Sequence, residues 1–240
     1  MRQQVALGAQ VIKFMSTGGV LSNVSGGLGR SMTDAEIKAV IDTAHGLGRK
    51  VATHSHHAAG TKAAIPAGVD TVDHGSFLDD EAIRLLMTHG MWLVPTMLAA
   101  NAAVEQARAG ALPPAVIPKA EEAAANAFNS HKKAFAAGVK VAFGTDSGVS
   151  KHGDNAREFA LMVKAGMSPA AALQAATLNA AEALGRSAAI GTITPGKDAD
   201  IIAVAGSPLE DVTRMESVDF VMRHGVVHKA GGKRQGFPAD

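Results

Sequence analysis

The sequence predicts an α/β fold of parallel βαβ units, followed by a short antiparallel β segment. Three observations predict it. Five short apolar segments are each followed by a longer stretch of helical periodicity, and strands that alternate with helices pair in parallel. Lys, His, His and Asp fall in or at the ends of four of those five segments. From residue 190 onward the helical pattern gives way to short alternating segments separated by Gly and Pro, which reads as hairpin-linked strands.

The elements follow in order. "QVIKFM" is a strand, apolar enough to read as buried on both faces apart from Lys13. "TDAEIKAVIDTAHGLG" is a helix with Thr33 or Ser31 as N-cap, acids in its first turn and Gly46 or Gly48 near its end. "KVATHSH" is a strand, and "HAAGTKAAIPAG" a helix with Pro66 close to its stop. "DTVDHG" is a short strand, "LDDEAIRLLMTHG" a helix opened by two acids, and "MWLVPTM" a strand. Residues 118–138 form a long alanine-rich helix, and the alanine bias of residues 98–136 is helical rather than disordered. "KVAFGTDSG" is the fifth strand. "NAREFALMVKAG" and "SPAAALQAATLNAAEALG" are two more helices. In the tail, "DADIIAVA", "VDFVMRHG" and "VVHKAGG" read as antiparallel strands, with a domain boundary near residue 188. Residues 1–187 form one domain and 188–240 a second segment.

Composition narrows the function. The 240 residues suit one large domain or one and a half smaller ones, and 47% are apolar, enough for a sizeable core. The net charge is +1 and no basic run exceeds two residues, which argues against nucleic acid and anionic membrane as partners. Tyr is absent and Trp is single, so a base-stacking surface is not expected. There is no cysteine. That removes thiol chemistry and fits a reducing compartment such as the cytoplasm. No apolar run approaches the roughly 18 residues of a membrane span, and "MRQQVALGAQ" has no signal-peptide core.

Chemistry concentrates at one end of the strands. Lys13 lies in the first, His54 ends the second, His74 the third and Asp146 the fifth. The fourth ends in "VPTM" and offers no ligand. In a (β/α) barrel these ends converge on one site, and imidazole with carboxylate suits zinc or a similar divalent ion. Each residue also has a plainer reading. A lone strand-end His can be a hydrogen-bonded core residue, "GTDSG" a helix-capping turn, and Lys13 a snorkelling surface cation. Their shared placement favours the site. His45, His89, His131, His224 and His228 fall on helices or in the tail and read as surface or structural residues. "STGGVLSNVSGGLGR" is glycine-rich but lacks the G-x-x-x-x-G-K-[ST] phosphate loop, so a nucleotide-binding sheet is disfavoured.

The blocks "IKFMSTGGVLS", "VATHSHHAAG", "AGVDTVDHGSFLDDEAI", "GMWLVPTM", "VAFGTDSG", "AATLNAAEALG" and "IGTITPGKDADIIAV" stand in an order that resembles the metal-dependent amidohydrolase superfamily, in its imidazolonepropionase-like and Xaa-Pro dipeptidase-like branch. The resemblance covers essentially the whole chain. It implies a partial TIM-type (β/α) barrel, strands four to eight, followed by a small β-sandwich segment. It implies a hydrolase of carbon–nitrogen bonds, in amides or dipeptides, using one or two divalent ions, zinc foremost. By position it implies metal ligation by Lys13, His54, His74 and Asp146. Lys13 would be carboxylated by carbon dioxide to a bridging carbamate, through the neutral amine that burial favours. Asp146 would be the general base. His56, on the same strand face as His54, and His152, on the loop after the last strand, would contact substrate, although His152 also reads as a helix-start residue. His57 should point away or cap the next helix.

One feature of the resembled pattern is missing. The His-x-His pair of the first barrel strand does not occur, since "HSH" at 54–56 lies in a later block. The expectation is a chain lacking strands one to three, with open strand edges that invite self-association, or a non-catalytic fragment holding at most one metal.

Overall fold

The computed structural model describes residues 1–22 and 27–236. Residues 23–26, within the glycine-rich stretch, and 237–240, at the end of the tail, lie outside the described residues.

A short helix α1 (Arg2–Ala6) leads into strand β1 (Val11–Met15), followed by α2 (Asp34–Gly46), β2 (Lys50–His57), α3 (Ala58–Ala67), β3 (Thr71–Phe77), α4 (Asp80–His89) and β4 (Trp92–Val94). The four strands form one parallel sheet in the order β1-β2-β3-β4. Each strand thus pairs with the next in sequence, the order that fits an arc of a (β/α) barrel. The helices form because their ends are signalled. Thr33 closes a capping box with Glu36, as expected for one of the two caps considered. Asp79 caps α4 by accepting from the Ala82 amide at 2.8 Å. Gly68 and Gly90 end α3 and α4 in the left-handed conformation. Ile37, Ile41, Ile65, Val72, Leu86 and Leu93 are almost fully buried between these helices and the sheet. Each such side chain contributes about 1.5–3 kcal/mol.

The first strand is not buried on both faces. Ile12 and Phe14 pack against the core, but Val11, Lys13 and Met15 point to the opposite face and are exposed. β1 is an edge strand whose inner face is open, so no burial penalty falls on Lys13.

The fifth expected strand is reduced among the described residues to one parallel bridge, Val141 against Leu93. Two causes act. Pro95 stops β4 after three residues, so "MWLVPTM" is shorter than expected and Met97 already opens a helix, α5 (Met97–Arg108). Beyond Ala142 the chain leaves the sheet, and the Phe143 amide donates to the Ala175 carbonyl.

α6 (Ile117–Ala137) is the expected alanine-rich helix, and α7 (Arg157–Lys164) follows. "SPAAALQAATLNAAEALG" is not one regular helix. α8 (Pro169–Gln174) and α9 (Ala180–Ala183) flank a π-helical turn over Ala175–Asn179. Thr177 bonds back to the Leu173 carbonyl, and Asn179 donates to the Val141 carbonyl, tying the turn to the Val141 segment.

The tail forms a separate antiparallel sheet, β5 (Ile201–Val204), β6 (Val218–Arg223), β7 (Val226–Ala230) and β8 (Lys233–Arg234), in that order. Residues 198–205 are therefore neither helix nor a strand of the main sheet. Val212 and Met215, in the 3-10 turn before β6, pack in one cluster with Phe159 and Met162 of α7.

Glu158 is a buried carboxylate in this second core. It is fully buried and accepts from the Met97 amide at 2.8 Å and the Leu98 amide at 2.6 Å, satisfying the first turn of α5. Burial outweighs those two bonds and pushes its carboxyl up to about 7. Its folded pKa thus lies above the unfolded value, so wild-type stability drops as pH rises from about 4.5 through 7. The stability advantage of wild type over Glu158→Gln, measured by urea unfolding, should shrink by about 3 kcal/mol between pH 4.5 and 8. A pH-independent difference would contradict an ionisable carboxyl buried here.

Candidate metal centre

The sheet carries its polar residues on the inner face by alternation. On β2, Val51, Thr53 and Ser55 are buried toward the helices, while His54 and His56 point the other way. On β3, Asp73 faces inward, where its carboxylate meets Lys13 at 2.7 Å. Simple alternation would then send His74 outward. It does not, because β3 carries an extra residue here. The register moves from Ser55 opposite His74 to His57 opposite Phe77, so two steps on β2 match three on β3. His74 and Gly75 take φ of 74° and 63°. This bulge turns the His74 side chain to the inner face and restores the alternation at Ser76. Only glycine fits at 75, since a Cβ there would lie 2.9 Å from the Leu93 side chain.

Three imidazoles converge as a result. Ring centroids are 4.6 Å apart for His54–His56 and His54–His74, and 4.8 Å for His56–His74. One nitrogen from each lies within 4.8 Å of the others. The His56 Nδ1 is 2.8 Å from Ser76 Oγ, and the His74 Nδ1 is 2.6 Å from Thr96 Oγ1. With Nδ1–H donated to those hydroxyls, each Nε2 keeps a lone pair for a metal. Burial, then the neighbouring His54 and His131, push the His56 imidazole down to about 3. Burial, then His56 and His54, hold His74 well below the ordinary value. His54 is lowered by burial, with Lys13 lowering it further and the Gly18 carbonyl and Asp146 opposing. Neutral, close imidazoles with free lone pairs are what a divalent ion requires.

The trio opens on a cavity of about 170 Å³. Its walls include Ser76, Thr96 and Asp146, and alanines 99, 100, 103, 120, 123 and 127 from α5 and α6. Asp146 is exposed at its rim, in a left-handed backbone conformation (φ 52°).

The expected site residues therefore fall as follows. His54 and His74 come together and Asp146 faces the same cavity. Lys13 lies on the same face, but its side chain is 49% exposed and ion-paired to Asp73. His56, expected against substrate, stands within the imidazole group itself. His152 is exposed and does not line the cavity. His57 caps α3, its Nδ1 accepting from the Ala59 amide. Of the two readings for His131, surface or structural, the structural one fits, although it lies beside β3 rather than away from the site. It is completely buried, and its Nε2 donates to the His74 carbonyl at 2.5 Å. Ser76, Thr96 and His131 had no signal in the sequence, whereas the two-residue spacing of His54 and His56 did mark a shared face. A second group, Asp198, Asp200 and His224, lies at the surface, and Asp198 is already paired with Arg186.

Known proteins share this architecture. A solved Xaa-Pro dipeptidase with methionine bound in its active site matches with a TM-score of 0.92 and 41% identity, over 95% of this chain and 57% of that one. A prolidase complexed with N-methylphosphonate-L-proline matches with a TM-score of 0.87 and 28% identity, over 98% of this chain and 57% of that one. Ochratoxinase of Aspergillus niger is 32% identical over 236 residues, 96% of this chain and 48% of the relative. The chain thus spans about half the length of the curated relatives it matches. No helix among the described residues is long and apolar enough to cross a membrane. Residues 1–228 match the amidohydrolase family, and the chain belongs to that family.

Proposed function

We propose that this chain supplies strands four to eight of a (β/α) barrel and the metal centre of a hydrolase acting on carbon–nitrogen bonds in amides or dipeptides. The observation that carries this is the group of three close imidazoles, two buried and His54 half-buried, sharing one cavity with a carboxylate. The substrate class rests on the similar proteins, a Xaa-Pro dipeptidase, a prolidase and an ochratoxinase. The cavity walls are mostly alanine and aliphatic, which suits a small substrate with an apolar side chain.

His54, His56 and His74 would hold the ion, with zinc first by ligand type. A bound divalent ion supplies acidity to a coordinated water and polarisation to a carbonyl. Asp146, at the cavity rim, takes a proton from the attacking water on its carboxylate and returns it to the leaving amine. Ser76 and Thr96 hold the tautomers of His56 and His74. His152, on its exposed loop, reaches substrate only if that loop folds over the cavity. A second reading has one specific support. The described residues offer a single group of three imidazoles, with His54 half-buried, so this chain alone would hold one ion and turn over slowly. We place it in the cytoplasm, in keeping with the absence of cysteine. The exposed Val11 and Met15 on β1 favour self-association.

Lys13 tests the carbamate directly. Its ammonium is paired with Asp73, and carboxylation would turn that attraction into repulsion unless a cation stands between them. The carbamate should therefore form only with zinc present. Native mass spectrometry in bicarbonate should show the added carbon dioxide with zinc, and none without zinc or in Lys13→Ala. The same mass gain without metal would contradict this assignment.

The function is tested by calorimetric zinc titration and turnover on a dipeptide panel. His54→Ala, His56→Ala and His74→Ala should each weaken zinc binding by at least about tenfold. Asp146→Asn should keep zinc but lower turnover by about 10²–10⁴. Full zinc affinity in the alanine variants, or undiminished turnover in Asp146→Asn, would refute the assignment.

A further inference from the structure

We propose that His131 is a positioning residue for the imidazole group, acting through the backbone of His74. A non-glycine residue at φ 74° is strained and persists only where its surroundings over-determine it. At the bulge the ladder between β2 and β3 is interrupted. The His74 carbonyl accepts from His131 Nε2 of α6. The same helix turn carries Ser130, which donates to the Ser76 carbonyl at 2.9 Å and accepts from the Leu78 amide at 3.1 Å. Two consecutive residues of α6 thus bind three backbone groups across the end of β3. Only the His131 bond falls on the strained residue.

His131 is an expensive choice for a core position. Its Nδ1 is buried without a partner, a desolvation cost that a leucine would not incur. Its ring stacks on Phe135 at 6.1 Å, contact that any ring would make. What an apolar residue cannot supply is the Nε2–H. That bond fixes the His74 carbonyl outward, toward α6, and so fixes the ring inward, against His54 and His56. Thr96 then sets the rotation of the same ring from the other side. A fall in metal affinity of about 10–100-fold is typical when such an outer support is removed.

Two readouts test it, and only the second rests on the metal-centre reading. The variants are His131→Phe and His131→Met, which lose the donor, His131→Gln, whose side-chain amide restores one, and Ser130→Ala as a neighbouring control. The first readout is metal-free. Crystal structures or backbone coupling constants should show His74 leaving the left-handed region in the Phe and Met variants and staying there in Gln and Ser130→Ala. The second is zinc affinity by competition with a chromophoric chelator. It should fall at least about tenfold in Phe and Met and stay within about threefold of wild type in Gln. If His131→Phe does not fold, His131→Met against His131→Gln decides. Left-handed His74 with unchanged zinc affinity in a folded donor-less variant overturns the proposal, as does a Gln variant that behaves like Met. If wild type binds no zinc, the metal-centre reading fails, and the conformation of His74 alone still decides this inference.

Discussion

A parallel strand presents its side chains to alternate faces, and this molecule needs Asp73 and His74, which are adjacent, to face the same way. The bulge at His74 and Gly75 meets that constraint. Without it His74 would enter the helix layer, and His54 and His56 would stand as two imidazoles rather than three. Much of the surrounding structure serves the bulge. Gly75 lets Leu93 pack where a Cβ would collide. Thr96, itself left-handed at φ 48°, reaches the His74 ring. Glu158 caps the helix that begins just after Thr96. His131 and Ser130 secure the strand end from α6.

Burial gives the trio its chemical character. Three imidazoles within 5 Å would repel one another if protonated, and burial also penalises each proton through lost solvation. Both effects favour neutral rings, with one nitrogen of each within 4.8 Å of the others. The helices that shut the pocket do so with small residues. Alanines of α5 and α6 let the helix backbones approach while leaving a cavity beside the histidines. Lys13 and Asp146 are placed differently, at the open face and at the rim, where charge is tolerated.

The sequence was legible wherever a local rule governs the outcome. The capping box of Thr33 and Glu36, the stop at Pro66 and Gly68, the alanine-rich α6 and the turn to antiparallel strands after residue 198 all follow from short-range chemistry. His54 and His74 were legible as strand residues, but β2 and β3 run on to His57 and Phe77, so neither residue ends its strand. The errors came where a third dimension decides. The run around Lys13 reads as a strand buried on both faces, but an apolar run does not reveal whether its second face is covered. The segment "KVAFGTDSG" has strand composition, yet Phe143 bonds to a carbonyl beside the π turn of a later helix, a competitor 32 residues away. His131 has the spacing of an ordinary helix residue, and nothing in its neighbours announces a bond to His74. The family resemblance pointed to His54, His74 and Asp146, and the fold adds the bonds that surround them.

The central claim is that His54, His56 and His74 form one metal-binding unit. The most direct measurement is anomalous diffraction from crystals of this chain grown or soaked with zinc at neutral pH. A single strong peak is expected among the three imidazoles, with nitrogens about 2.0–2.1 Å from it. Zinc found instead at the exposed Asp198, Asp200 and His224 group, or no ordered ion beside the three rings, would contradict it.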